Sequence, residues 1–336
     1  MKRWSLLVRA CIATTGLAWA GIAASQGTAP EAATAAAAPA ETPVESGVRY
    51  LDLPAPKLLD LPAQAWEGDQ QPHTFSVLEM NRDGFRYWAW YGLNNGRGIG
   101  LARSNDLLHW TKYERNPLWL NARWPSVLKG ADPRHPGTLY FAITRDYDTP
   151  SSRIVLATSE DGVHLTEAKT LVARVDHERN QNPNLFRDPV SGRFFLTYYR
   201  GNDDNYFDIV SRNARRVADL DVATDKLLMH STETVAAPTL LYLAHGPGGK
   251  GIYYLATEIY PNRYKDADKG DWQVKVFHSD RPDGTFLPVA GNPVEVDGRA
   301  CLFQHVFDGR FYGYQCKLDA ATQAWQMEAV VTPLPK

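Results

Sequence analysis

The sequence of 336 residues predicts an all-β fold, a five-bladed β-propeller, from three observations. First, a hairpin pattern, in which a turn separates two runs of apolar, β-branched or aromatic residues, occurs five times. Second, its turn glycines recur at separations of 53, 55, 59 and 58 residues, at Gly84, Gly137, Gly192, Gly251 and Gly309. Third, each interval has room for four short antiparallel strands, the content of one propeller blade.

The first 20 residues are expected to be a secretory signal peptide. Met1-Lys-Arg is a basic start, residues 6–24 are largely apolar, and Ala18-Trp-Ala20 offers a small-x-small cleavage site. Arg9 interrupts the apolar run, so too few apolar residues remain to span a bilayer. The mature protein is therefore expected in the periplasm or outside the cell, with no membrane span.

Residues 21–48 are nearly all Ala, Pro, Thr, Glu, Ser and Gly, which predicts a disordered linker because such a segment buries too little apolar surface. Residues 49–336 then form one propeller domain. Loss of the signal peptide removes Lys2, Arg3 and Arg9 and takes the formal charge from −2 to −5. No basic stripe remains for nucleic acid, and a monomer is expected.

The strand positions follow from the hairpin pattern. Blades one and two are predicted at 74–80, 85–93, 98–104 and near 110–113, and at 124–129, 138–144, 153–158 and 165–172. Blades three and four are predicted at 183–187, 193–199, 207–216 and 226–230, and at 238–244, 251–260, 272–278 and 285–289. Blade five has three, at 301–307, 310–317 and 324–331. A closed ring needs a complete last blade, so residues 50–53 or a neighbouring segment are predicted to add its outer strand.

Two motifs resemble a known group of enzymes. Ser104-Asn-Asp-Leu-Leu-His-Trp-Thr111, followed by Asn116-Pro117, resembles the first blade of five-bladed propeller glycosidases, the arabinanase, xylosidase and fructosidase clan. Asp188-Pro-Val-Ser-Gly-Arg-Phe-Phe-Leu-Thr-Tyr-Tyr199 is similar to their third-blade hairpin. The resemblance implies the propeller architecture and a carbohydrate substrate.

The same comparison reveals a departure. Those glycosidases carry catalytic acids at the starts of the first strands of blades one, two and three. The corresponding segments here read Pro72-His73, Trp124-Pro-Ser126 and Asn180-Gln-Asn182, without a carboxylate. The family's catalytic residues therefore cannot be carried over to this sequence.

Propeller geometry sorts the remaining carboxylates. One end of the ring collects the starts of first strands and the ends of second strands, and the other end collects the hairpin turns. Glu258 is placed at the end of a second strand and is the candidate general acid, with Asp146 or Asp203 as its partner. The alternatives to catalytic roles are that Glu258 forms an ion pair with an arginine and that Asp203 lies in a solvated loop.

Polar and aromatic side chains at the same end predict a funnel that binds sugars by hydrogen bonds and ring stacking. The candidate binding residues are His73, Tyr91, Arg123, Trp124, Arg145, Asn182, Arg200, Tyr260 and His305. Trp124 could instead be a packing residue, and His305 could be a core histidine that is hydrogen-bonded to the backbone. No cofactor is predicted, although an axial structural metal is compatible with the pattern.

Cys301 and Cys316 flank the last hairpin. With Asp308-Gly309 as its two turn residues, the cysteines fall directly opposite each other, which predicts a disulfide in an oxidising compartment. The pair would occupy a hydrogen-bonded position, where the bridge is strained unless a bulge intervenes.

Three functions are compatible with these features. The first is a glycoside hydrolase-like enzyme that acts on an extracellular or periplasmic polysaccharide. The second is a non-catalytic carbohydrate-binding propeller, which the missing first-strand acids favour. The third is a glycosyl transferase or phosphorylase that holds phosphate with Arg123, Arg145 and Arg200.

Overall fold

The computed structural model describes residues 48–68, 71–93, 98–146, 151–202, 206–246, 250–260, 271–319, 321–322 and 324–334. The predicted signal peptide and nearly all of the predicted linker lie outside these residues. No helix in the described part of the chain is long and apolar enough to cross a membrane.

The described residues form five antiparallel sheets, which are the five predicted blades. The strands begin with β1 (Lys57–Leu58), followed in blade one by β2 (Ser76–Arg82), β3 (Phe85–Gly92), β4 (Gly98–Ser104), β5 (Thr111–Lys112) and the short β6 (Trp119–Leu120). Blades two and three contain β7 (Ala122–Lys129), β8 (Leu139–Arg145), β9 (Arg153–Ser159) and β10 (Thr166–Val172), then β11 (Arg179–Arg187), β12 (Phe194–Asn202), β13 (Tyr206–Ala214) and β14 (Lys226–Ser231). Blades four and five contain β15 (Thr234–Leu243), β16 (Ile252–Tyr260), β17 (Gln273–Ser279) and β18 (Leu287–Pro288), then β19 (Arg299–Phe307), β20 (Arg310–Leu318) and β21 (Trp325–Pro333).

The fifth blade is completed by a strand from the amino-terminal side. β1 pairs with β21, with Lys57 opposite Ala329 and Leu58 opposite Glu328. Residues 50–53 were the first choice for this strand, but Tyr50–Asp52 form a 3-10 turn. Tyr50 is buried there against the rings of Tyr254 and Phe311. The neighbouring segment, β1, forms the outer strand instead.

The innermost strands of blades two to five carry a β-bulge at the same level. In blade two, Arg123 pairs with Thr144 and Ser126 with Ala142, so two residues oppose one. The same one-residue shift occurs in blades three, four and five. The first bulge residue has a positive φ in each of these blades, at Trp124 (57°), Asn182 (54°), Ala237 (47°) and Cys301 (55°). Proline follows the bulge residue in blades two to four, where an unpaired backbone position tolerates its missing N–H.

The bulges surround the propeller axis. One triplet from each blade lines a narrow axial cavity of about 30 Å³, formed by residues 74–76, 124–126, 182–184, 237–239 and 303–305. This volume holds about two water molecules and is far below the roughly 300–1,000 Å³ of small-molecule sites. The shaft itself therefore has no room for a ligand of that size.

Side chains just after the bulges join neighbouring blades. Three of them accept a hydrogen bond from a backbone N–H of the next blade: Ser76 Oγ from Val127, Ser126 Oγ from Leu185, and Asn184 Oδ1 from Leu240. Thr239 Oγ1 instead donates to the Leu302 carbonyl oxygen of blade five. These repeated contacts hold the inner strands at a fixed spacing.

Candidate functional site

We define the axial mouth as the end of the ring where first strands begin and second strands end. His73, Arg123 and Gln181 take the same position, one residue before the bulge, in blades one, two and three. On the second strands, Glu258 lies opposite Ala236 and Cys316 lies opposite Ala300. Apart from the two alanines, the five side chains named here are polar or ionisable. All five are buried.

Glu258 lies on β16 with 5% of its surface exposed. Its Oε2 accepts a hydrogen bond from Cys301 Sγ at 2.9 Å. Burial raises the pKa of Glu258 to about 7, although the Cys301 thiol and the positive charge of Arg123 oppose this shift. A carboxyl group with that pKa is protonated in a substantial fraction of molecules at neutral pH.

His73 lies between two indole rings. The imidazole meets Trp124 and Trp325 edge-on, with ring centroids 4.9 and 4.8 Å apart. Burial, together with the nearby charge of Arg123, lowers the pKa of His73 well below its usual value, so the ring is neutral at physiological pH. Its Nδ1 lies 3.9 Å from Cys301 Sγ.

Cys301 and Cys316 are free thiols, so the predicted disulfide is wrong for this structure. The hairpin register holds near the turn, where Phe303 pairs with Tyr314, but the bulge shifts it by one residue and Ala300 pairs with Cys316. Cys301 occupies the bulge itself with a φ of 55°. A pairing rule that counts outward from the turn assumes an unbroken ladder, and the bulge breaks that assumption.

Neither thiol is poised as a nucleophile. Burial in apolar surroundings raises the pKa of Cys301 well above its usual value, and the hydrogen bond with Cys316 and the charge of Glu258 add to this effect. Burial likewise raises the pKa of Cys316. Thiolate nucleophiles require the opposite shift, so cysteine-based covalent catalysis is not supported.

Two buried donors at the mouth lack partners. Trp124 Nε1 and Gln181 Nε2 form no hydrogen bond within the described residues, although the two side chains are only 4% and 5% exposed. Buried polar groups are normally satisfied, and an exception commonly marks the position of a ligand or a water molecule. Sequence reasoning named Trp124 as a binding residue but did not select Gln181.

Of the two proposed acidic partners of Glu258, only Asp146 lies within the described residues. Asp146 ends the strand region of blade two with a φ of 59° and accepts a hydrogen bond from Arg153 Nε at 2.9 Å. Asp203 lies outside the described residues. The groups that affect the pKa of Glu258 are a thiol and a guanidinium rather than a second carboxylate.

Two of the predicted arginines have structural contacts. Arg145 donates to the Leu120 carbonyl oxygen at 2.7 Å and covers the Trp119 ring at 4.6 Å, which holds β6 in place. Arg200 forms ion pairs with Asp208 and Asp225 at 3.2 and 3.3 Å. Arg123, in contrast, lies at the mouth, with its guanidinium 4.7 Å from the centroid of Trp124.

The other predicted binding residues are divided between the mouth, the axial shaft and the core. Tyr260 is buried at the end of β16, with its ring centroid 5.2 Å from that of Trp272. Asn182 and His305 line the axial cavity. Tyr91 is fully buried in blade one, where its hydroxyl donates to Glu67 at 2.7 Å, so it has a structural contact.

Trp272 and Trp325 are site residues that sequence reasoning missed. Trp272 immediately precedes the third strand of blade four, and Trp325 is the first residue of the third strand of blade five. Their ring centroids lie 6.1 Å apart. The topological rule considered only the first and second strands of each blade. The signal available in the sequence was a tryptophan next to the start of a third strand in both blades.

Two aspartates lie in turns between third and fourth strands. Asp106 Oδ1 accepts hydrogen bonds from the backbone N–H groups of Leu108 and His109, and Asp161 Oδ1 accepts them from Val163 and His164. These contacts close the turns between third and fourth strands. Both aspartates therefore have structural contacts.

The comparisons with known proteins identify the fold. No family model matches the sequence, and no curated protein matches it. A thermostable family-43 glycoside hydrolase has 16% identity and a TM-score of 0.58, over 78% of this chain and 89% of that one. An N-acetylgalactosamine deacetylase from F. plautii, solved with blood group B trisaccharide, has 13% identity and a TM-score of 0.57, over 84% and 95%. An α-L-arabinanase from Cellvibrio cellulosa, solved with arabinohexaose, has 14% identity and a TM-score of 0.55, over 77% and 92%.

Proposed function

We propose, from a fold shared with family-43 glycoside hydrolases, that this protein binds a polysaccharide or oligosaccharide at the axial mouth and hydrolyses a glycosidic bond there. The observation that carries the proposal is the buried carboxyl group of Glu258 in a mouth that also holds the unpartnered donors Trp124 Nε1 and Gln181 Nε2. Sugar hydroxyl groups are natural acceptors for such donors. Glu258 would be the proton donor to the leaving oxygen.

The fold supports the substrate class. Solved structures with this fold include glycoside hydrolases and a deacetylase of an amino sugar, and two of them hold oligosaccharides. The axial shaft is too narrow for a sugar, so a glycan would lie across the mouth. Trp124 and Arg123 would form part of its contact surface.

Hydrolysis with a proton donor requires a second carboxylate that acts as a base or as a nucleophile. Asp146 and Asp203 remain the candidates, because each directly follows a second strand in the sequence, β8 and β12. A separation of about 5 Å between the carboxyl groups gives retention, and roughly 6.5–9.5 Å gives inversion. Asp146→Asn and Asp203→Asn would show which of them is required.

The test is hydrolysis of a panel of plant and bacterial polysaccharides by the wild type and by Glu258→Gln. Loss of a general acid typically lowers the rate by about 10²–10⁴-fold, and we expect a decrease in that range with little change in glycan binding. Val274→Ala, which alters the residue opposite Glu258 on β17, controls for packing changes. Equal activity in the wild type and in Glu258→Gln would refute the assignment.

A second candidate function is glycan binding without cleavage. The specific observation in its favour is that His73, Arg123 and Gln181 occupy the first-strand positions at the mouth, and none of them is a carboxylate. Retention on a glycan affinity matrix without any hydrolysis product, weakened by Gln181→Ala, would decide for this function. The phosphate-binding alternative has less support, because Arg145 donates to the Leu120 carbonyl oxygen and Arg200 forms ion pairs with Asp208 and Asp225.

We also propose that the protein is exported and acts as a monomer in the periplasm or outside the cell. The basic start, the apolar run and the Ala18-Trp-Ala20 site support export. Cell fractionation with amino-terminal sequencing of the mature chain would test this, and an intact first residue would contradict it.

A further inference from the structure

A cluster of soft metal ligands lies at the junction of the first and last blades. His73 precedes β2 of blade one, whereas Cys301 and Cys316 lie on β19 and β20 of blade five. Each residue offers one ligand atom, and these three atoms lie within 4.8 Å of one another. All three side chains are buried.

The distances approach those of a metal centre. Zinc binds thiolate sulfur at about 2.3 Å and imidazole nitrogen at about 2.0–2.1 Å, so a tetrahedral ion separates its ligand atoms by roughly 3.5–3.8 Å. The separation of Cys301 Sγ and His73 Nδ1 is 3.9 Å. That edge would contract by a few tenths of an ångström when zinc binds, and a separation at the 4.8 Å limit of the cluster would contract by about 1 Å.

The residues around the cluster hold the three ligand side chains in place before an ion binds. The bulge places Cys301 in a left-handed conformation, and the Cys316 thiol donates to the backbone carbonyl oxygens of Ala300 and His73 at 3.3 and 3.5 Å. Trp124 and Trp325 hold the His73 ring from two sides. Ligands that are already ordered lose little conformational entropy when an ion binds.

We propose that His73, Cys301 and Cys316 bind one Zn²⁺ ion, with the fourth position taken by water. Two thiolates and an imidazole suit zinc, and they do not suit calcium or magnesium, which require oxygen ligands. Binding breaks the two S–H bonds, releases both protons to solvent and leaves the thiolate electron pairs on the ion, so no oxidant or reductant is needed. Glu258, 2.9 Å from Cys301 Sγ, lies beside the cluster and is not one of the ligands.

The ion would join the two ends of the ring. β1 closes the outer edge of blade five, and zinc would link blade five to blade one at the inner edge. The proposal does not depend on glycan hydrolysis, since it concerns ligand chemistry alone.

Metal analysis of the full mature chain, purified under reducing conditions and incubated with ZnCl₂, provides the test. We expect one zinc per chain after dialysis, and a thiolate-to-metal charge-transfer band when Co²⁺ replaces it. Cys301→Ser, Cys316→Ser and His73→Asn should each weaken zinc binding by more than about 100-fold, since even outer contacts of a zinc site are worth about 10–100-fold.

Two control variants separate this site from surface binding and from the hydrolase proposal. His109→Asn removes an exposed histidine on a turn and should keep one zinc. Glu258→Gln should also keep one zinc, whatever its effect on hydrolysis. Should a cysteine variant fail to fold, the cobalt spectrum of the wild type decides alone. Absence of the charge-transfer band, or a Cys301–Cys316 disulfide in the protein purified without reductant and resistant to zinc, would overturn the proposal.

Discussion

His305 illustrates how position in the ring sets the chemistry of one residue. It lies on β19 and lines the axial cavity, with its Nε2 3.3 Å from the Phe75 carbonyl oxygen and its ring stacked on Phe307. Burial lowers its pKa from 6.5 to about 4, although the contact with the Phe75 carbonyl opposes the shift. The sequence alternatives for His305 were a binding residue and a core histidine satisfied by backbone, and its contacts match the second.

We predict that acid weakens the fold through this residue. Between pH 6.5 and 4 the unfolded chain takes up a proton at His305 that the folded chain does not, so stability decreases as the pH falls through this window. The loss is at most about 3.4 kcal/mol and smaller in practice, because the ring is only partly buried. Denaturant unfolding of the wild type and His305→Gln at several pH values measures it.

The variant should flatten the pH dependence of stability between pH 6.5 and 4. Val306→Ala, the next residue of the same strand, is the control and should lower stability equally at every pH. The same pH slope in His305→Gln as in the wild type would show that His305 is not the titrating group.

At the scale of the element, the recurring bulge is the feature that builds both the shaft and the mouth. It places a non-glycine residue at positive φ in four blades, which costs roughly 1–2 kcal/mol at each position. Such strain persists only where the surrounding structure imposes it, and it is common at functional sites. In this protein the bulge moves the following side chain to the opposite face of the strand.

Ala236 and Ala237 offer a matched test of this strain. Ala237 has a φ of 47°, whereas Ala236, the preceding residue, pairs regularly with Glu258. Ala237→Gly should leave stability unchanged or raise it by up to about 1 kcal/mol, because glycine accepts that conformation without strain. Ala236→Gly should lower stability by about 0.5–1 kcal/mol. Equal losses in both variants, measured by urea unfolding, would contradict a strained bulge.

At the scale of the whole molecule, stability depends on closing the ring. β1 covers the edge of β21, and the adjoining Leu59 and Leu61 are buried against blade one and blade five residues. Blades one and five are also in contact at the end of the ring that carries the hairpin turns, where Arg86 forms an ion pair with Asp308 at 2.8 Å. An open fifth blade would expose both apolar surface and an unpaired strand edge.

Truncation tests this dependence. A chain that begins at residue 62 lacks Tyr50, β1, Leu59 and Leu61, and burial of each large apolar side chain is worth about 1.5–3 kcal/mol. We expect it to unfold at a much lower temperature and to aggregate, whereas a chain that begins at residue 48 should unfold like the mature protein. Thermal scans of the two chains provide the measurement, and identical midpoints would show that β1 is dispensable.

Several features of the architecture could be predicted from the sequence because their causes are local. Asp83-Gly84 and Asp308-Gly309 both have positive φ at their two positions, as type I′ hairpin turns require, and such turns signal where strands begin and end. Alternation of apolar side chains then identifies the strands, and their repetition gives the number of blades.

The chemistry of the mouth was decided by tertiary structure. Side chains alternate with a period of two along a strand, so a bulge of one residue moves every later side chain to the opposite face. The repeated proline after the bulge was visible in the sequence, but the pairing shift depends on the neighbouring strand. That shift brings Cys301 to His73 and Glu258 instead of to a disulfide with Cys316. The sequence therefore determined the five blades, and only the packing of the blades against one another determined which groups meet at the axis.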